Sequence, residues 1–88
     1  MSGTIRKYGR VAVLQLTGEN ITITSEGWNT LATIPSGYRS AANQYYLTGT
    51  QWSNNIDCQM DSDGNIYAYV SVGTGQRIQL KNFVYITE

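Results

Sequence analysis

The sequence predicts an all-β fold, an antiparallel β-sandwich or jelly-roll-like barrel, and three observations predict it. Short runs rich in β-branched and aromatic residues follow one another along the whole chain. Turn-forming residues, glycine among them, separate these runs, and strand starts recur about every ten residues, the spacing of compact antiparallel folds. Apolar residues recur with a period of two, and hardly any stretch carries the 3.6-residue period of an amphipathic helix.

Taken in chain order, the runs are Val11 to Leu16, Ile21 to Ser25, Asn29 to Ile34, Gln44 to Thr48, Ile56 to Met60, Asn65 to Val72 and Arg77 to Thr87. Thr17-Gly-Glu-Asn20 reads as the turn between the first two. Ile34-Pro-Ser-Gly37 carries Pro at the second and Gly at the fourth position of a type I turn. Asp61-Ser-Asp-Gly-Asn65 supplies Asx-turn formers and a glycine free to take positive φ, so Ile56 to Met60 should pair with Asn65 to Val70 in a bulged hairpin. Gly73-Thr-Gly-Gln76 reads as a flexible hairpin loop. Trp28 reads as a large packing anchor, and Tyr38-Arg39 as a pair that begins the return strand and locks the Pro35 turn.

Two strands are apolar on both faces. Val11 and Val13 oppose Ala12, Leu14 and Leu16, and Phe83 and Tyr85 oppose Val84 and Ile86. A sandwich buries one face of each sheet. The second face is then covered by another copy of the chain, or the strands are central in a closed barrel. Burying ~600 Å² more apolar surface per chain would contribute on the order of 15 kcal/mol of gross driving force before association costs.

Composition narrows the function. The 88 residues suit one domain, residues 1–88, with a modest core. Six Lys and Arg balance six Asp and Glu, and no basic cluster exists to neutralise phosphates, so nucleic acid is not an expected partner. Arg6, Lys7 and Arg10 read as a solvated end around a turn. The lone Cys58 excludes an internal disulfide and is expected to be buried. No apolar run approaches the ~18 residues of a membrane span and no signal peptide is recognisable, so neither membrane insertion nor general secretion is expected.

The chain has no histidine, which removes the commonest general base, the Ser-His and Cys-His pairs and the commonest transition-metal ligand. Glu19, Glu26, Asp57, Asp61 and Asp63 could supply a carboxylate pair, but turns and exposed strand faces explain them. The Asp61 to Asn65 run resembles the start of a calcium loop yet lacks the later bidentate acid. No enzyme, metal or cofactor is therefore expected. Binding fits better: Trp52, Tyr45 or Tyr46, Tyr67 and Tyr69 stand beside Asn54, Asn55, Asp57, Gln59, Gln76 and Arg77. Flat rings stack on the apolar faces of sugars, while amides and charges pair with hydroxyls. Trp52, Asn54, Asn55, Tyr67, Tyr69 and Arg77 are the ligand-binding candidates, although Tyr67 and Tyr69 share one strand face and could equally pack against a neighbouring subunit.

Arg6, Lys7, Gly9, Val11 and Val13 open the chain, Trp28, Leu31, Ile34, Pro35, Gly37, Tyr38 and Arg39 follow, then Asp63, Gly64, Asn65, Ile66 and Val70, and finally Phe83 and Tyr85. In this order they resemble the C-terminal head domain of bacteriophage tail-fibre and baseplate receptor-binding proteins. The resemblance implies a homotrimeric β-sandwich head at the distal tail of a virion, one module of a longer fibre or baseplate protein, associated with other tail proteins. It implies binding of saccharides or polyol phosphates of a bacterial envelope without cleavage. Ser40 departs from the pattern, where many relatives carry Pro, and the ligand contacts of such heads lie in variable loops, so the six candidates rest on their chemistry.

Overall fold

The alternation that begins at Val11 sends Ala12, Leu14 and Leu16 into the core, with relative exposures of 5% or less, and leaves Val11 and Val13 on the other side. The same logic, repeated along the chain, yields an all-β antiparallel fold. The computed structural model describes residues 1–42 and 44–88. Among them lie β1 (Ser2–Tyr8), β2 (Val11–Ile23), β3 (Gly27–Thr33), β4 (Gln44–Gln51), β5 (Asn54–Asp61), β6 (Asn65–Val70) and β7 (Gly73–Ile86), and no helix. They form one sheet in the order β1-β2-β7-β4-β5-β6-β3, curled into a half-barrel.

Four features differ from the sequence-based expectation. Thr17 to Asn20 is not a turn: β2 runs straight through it, with register shifts against β7 between Gly18 and Ile21 and again before Ile23. Asn20 takes a φ of 56° there, so residues chosen for turn chemistry serve as a bulge, which needs the same left-handed tolerance. Gly73 to Gln76 likewise belongs to β7, opposite Ile21 and Ile23. Residues Ser2 to Tyr8 form an additional edge strand, paired along its length with β2, so that Arg6 and Lys7 lie on a strand and only Gly9-Arg10 makes the turn.

The fourth concerns Pro35. Tyr38 N–H donates to the Pro35 carbonyl at 3.2 Å, and Gly37 has a φ of 93°. Pro35 is thus the first residue of the turn and Gly37 the third, the pattern of a type II rather than a type I turn. The Tyr38-Arg39 pair does lock it, but does not begin a strand: the two residues lie in the turn and the bend after it, and the next strand starts at Gln44. Arg39 Nε donates to the Ile34 carbonyl at 3.1 Å, the Tyr85 hydroxyl donates to the Tyr38 carbonyl at 2.6 Å, and Lys7 Nζ donates to the Gly37 carbonyl at 2.6 Å.

The core is one cluster drawn from both halves of the sheet: Leu14, Leu16, Ile78, Leu80 and Tyr85 on one side, Leu47, Cys58, Met60, Ile66 and Val70 on the other. The halves join where β4 meets β7, at Thr50 opposite Gln79 and Gln51 opposite Ile78. The curl is clasped at the far side by a bridge between Ser40 and Thr87, beside hydrogen bonds from Ala41 N–H to the Ile86 carbonyl and from Glu88 N–H to the Arg39 carbonyl.

Candidate functional site

Four strands, β4, β5, β6 and β3, turn one face to the core and the other outward. Leu47, Cys58, Ala68, Met60 and Ile66 take the inner face. One outer row then runs across all four strands through Tyr46, Gln59, Tyr67 and Thr30, which stand directly opposite one another in register. A neighbouring row holds the pairs Thr48 with Asp57 and Tyr69 with Trp28. Tyr46, Trp28 and Tyr69 are 70%, 49% and 50% exposed, and Trp28 meets Tyr69 edge to face at 5.5 Å between centroids. Together with Thr48, Asp57 and Gln59, Trp28 and Tyr46 border an open basin of about 330 Å³.

Trp28 on this face corrects its reading as a packing anchor, and the cause is local. Counting back by twos from buried Ile34 and from Ala32 opposite buried Ile66 places Trp28 inside. A register shift between Thr30 and Ala32 inserts one residue and reverses the phase, so Thr30 and Trp28 point outward. Nothing within the strand marks that shift, because it exists only relative to β6.

Of the two tyrosines considered together, Tyr45 is half-buried and packs near Phe83 and Tyr85, whereas Tyr46 is free on the outer face. Among the six expected ligand residues, Tyr69 flanks the basin and Tyr67 shares the face. The Tyr67 hydroxyl, however, donates to Asp61 Oδ2 at 3.1 Å, so its ring rather than its hydroxyl is available. Trp52, Asn54, Asn55 and Arg77 gather elsewhere, around the β4–β5 turn. There Trp52, Glu19, Asn20, Gly75 and Arg77 line a second cleft of about 350 Å³, with Arg77 Nε 3.3 Å from Glu19 Oε1. Sequence reasoning missed Trp28 and Thr48 as site residues.

Two titratable groups near the basin, Cys58 and Asp61, are structural. Burial pushes the Cys58 thiol up to about 11, outweighing a lowering hydrogen bond at Gly49, and the Asp57 charge adds a smaller contribution in the raising direction. That sulfur therefore stays protonated and unreactive at neutral pH. Partial burial raises Asp61, but hydrogen bonds from the Asn65 backbone, the Tyr67 hydroxyl, the Asn65 side chain and the Asp63 backbone outweigh it and hold the carboxyl below its ordinary value. Its oxygens are engaged by its own hairpin, the hydrogen bonding of an Asx turn.

Exposed rings at the rim and a carboxylate, a carboxamide and a hydroxyl between them form a surface suited to a hydroxyl-rich ligand with apolar ring faces. No protein-family model matches the chain, and no curated protein matches it.

Proposed function

We propose that this chain is a non-catalytic saccharide-binding domain. The observation that carries this reading is the basin in which exposed Trp28 and Tyr46 flank Asp57, Gln59 and Thr48. Large aromatic rings left about half or more in solvent, Trp28 at 49% and Tyr46 at 70%, with Tyr69 bracing Trp28, gain little for the fold and present stacking surfaces. The order of motifs that resembles phage receptor-binding heads supplies a setting: a homotrimeric head at the distal tail of a virion that adsorbs to glycans of the bacterial envelope.

Binding of purified bacterial envelope polysaccharides, measured by titration calorimetry, tests it. Trp28→Ala is expected to weaken the best-bound polysaccharide roughly tenfold, as for a lost stacking ring, with the circular dichroism spectrum unchanged. No polysaccharide bound by the wild-type chain, or equal binding by wild type and variant, overturns the assignment of the basin.

A second reading has its own observation. Val11 stands opposite Ile86 and Val13 opposite Val84 on the outer face of β2 and β7, where Val84, Ile86 and nearby Tyr8 are 56%, 42% and 64% exposed. This strip favours a structural module that associates through that face, with or without a glycan ligand.

A further inference from the structure

We infer that the basin is one end of a continuous track, and that the domain takes a linear, uncharged oligosaccharide along its outer face, with Trp52 as the second stacking ring. This track rests on the saccharide reading of the basin. Three depressions succeed one another. The basin ends at Thr48, which also borders a depression of about 190 Å³ formed with Thr50, Asn55, Gln79 and Lys81. Gln79 and Arg77 alternate along β7 with buried Ile78 and Leu80, so the same outward side leads on to Arg77 and the Trp52 cleft. From β3 to β7 the track crosses four strand spacings, roughly 19 Å, too long for a single sugar ring.

Trp52 is the anomaly that marks the far end. Gln51 pairs with Asn54, so Trp52 and Ser53 form a two-residue hairpin turn, and Trp52 occupies its first position with a φ of 54°. Glycine is the usual residue there, since a bulky side chain is strained in the left-handed region. The strain is not offset by burial, because the indole is 56% exposed. Its backbone N–H donates to the Arg77 carbonyl at 2.8 Å, which holds the turn against β7. Asn20 at φ 56° and Gly75 at φ 63° line the same cleft, so three left-handed residues converge on it.

The polar groups set the ligand class. Glu19 and Arg77 neutralise each other while 66% and 45% exposed, leaving further acceptor and donor positions free beside the indole. Along the track Lys81 and Arg77 balance Glu19 and Asp57, which disfavours a polyanion and suits hydroxyl groups.

The test uses purified neutral envelope polysaccharides. The best-bound one is hydrolysed to size-graded fragments, and each is titrated against wild type, Trp28→Ala and Trp52→Gly. Wild-type affinity is expected to rise with fragment length. Trp52→Gly is expected to lose roughly tenfold for long fragments, so that its affinity no longer rises with length as that of wild type does, and to melt at a higher temperature because glycine relieves the backbone. Trp28→Ala should weaken short and long fragments alike. Affinity independent of length, or long-fragment binding untouched by Trp52→Gly, overturns the track and leaves the basin reading standing. No binding by any polysaccharide overturns the basin reading itself.

Discussion

Asp61 shows how one side chain can organise a hairpin. Its Oδ1 accepts from Asp63 N–H at 3.1 Å and Asn65 N–H at 2.9 Å, and its Oδ2 accepts from the Tyr67 hydroxyl. Replacing it with Ala leaves those donors without a charged acceptor and is expected to cost about 1–2 kcal/mol at neutral pH, read as a lower urea midpoint. The pH dependence has a definite sign. The folded-state pKa is depressed, so the contribution is complete above the unfolded carboxylate value near pH 4 and disappears as the pH falls through the folded one. Wild type and Asp61→Ala should therefore converge in stability under acid, and a gap that stays constant to low pH would contradict the mechanism. Gly64 completes the turn: it sits at φ 89°, and a Cβ there would lie 2.6 Å from the Ile34 carbonyl oxygen. Both roles were legible in Asp61 to Asn65, because an Asx turn is specified by neighbours in sequence. The exposure of Trp28 was not legible, since it depends on one residue inserted against β6.

At the scale of elements, the long strands β2 and β7 bend rather than break. Asn20 and Asn82 take left-handed backbone at their irregularities, and Gln15 Nε2 donates to Asn82 Oδ1 at 2.6 Å beside the register shift at Leu14. The β4–β7 seam has little ladder, and Gln51 compensates from its own side chain. This residue is 6% exposed; its Nε2 donates to the Ser71 carbonyl at 3.1 Å and to Gln76 Oε1 at 2.8 Å, and its Oε1 accepts from Ser71 N–H at 3.0 Å. The β6–β7 connection is thereby fastened to the edge of β4. Gln51→Ala removes all three bonds and is expected to destabilise by about 2–3 kcal/mol, with faster amide exchange at Ser71. A loss below ~0.5 kcal/mol, the range of an ordinary surface change, would show that the seam holds without it. The runs that became β3 to β6 could be read from alternation and turns. The merging of two runs into β2 could not, because turn and bulge residues are the same.

For the whole molecule, the core occupies the inside of the curl and one side of β2 and β7, and the outer strip of Val11, Val13, Val84 and Ile86 stays uncovered within a single chain. The two-faced apolar pattern thus corresponds to an exposed surface and not to a strand enclosed on both sides. Should that surface associate with further copies, sedimentation velocity at micromolar concentrations is expected to show an oligomer for wild type and a monomer for Val84→Arg. The substitution itself should shift monomer stability by no more than ~0.5 kcal/mol, as for other exposed positions. A wild-type monomer at these concentrations would remove self-association through this face.

By itself the sequence determined the fold class, most strand positions, the Asp61 hairpin, the burial of Cys58 and the presence of a second apolar face. All of these follow from local periodicity and turn chemistry. Only the tertiary structure decided which rings face solvent, that Trp28 and Tyr46 share a basin while Trp52 and Arg77 border another cleft, and that β1 forms an edge. Those outcomes depend on pairing register and bulges between strands distant in sequence, where one inserted residue exchanges the two faces.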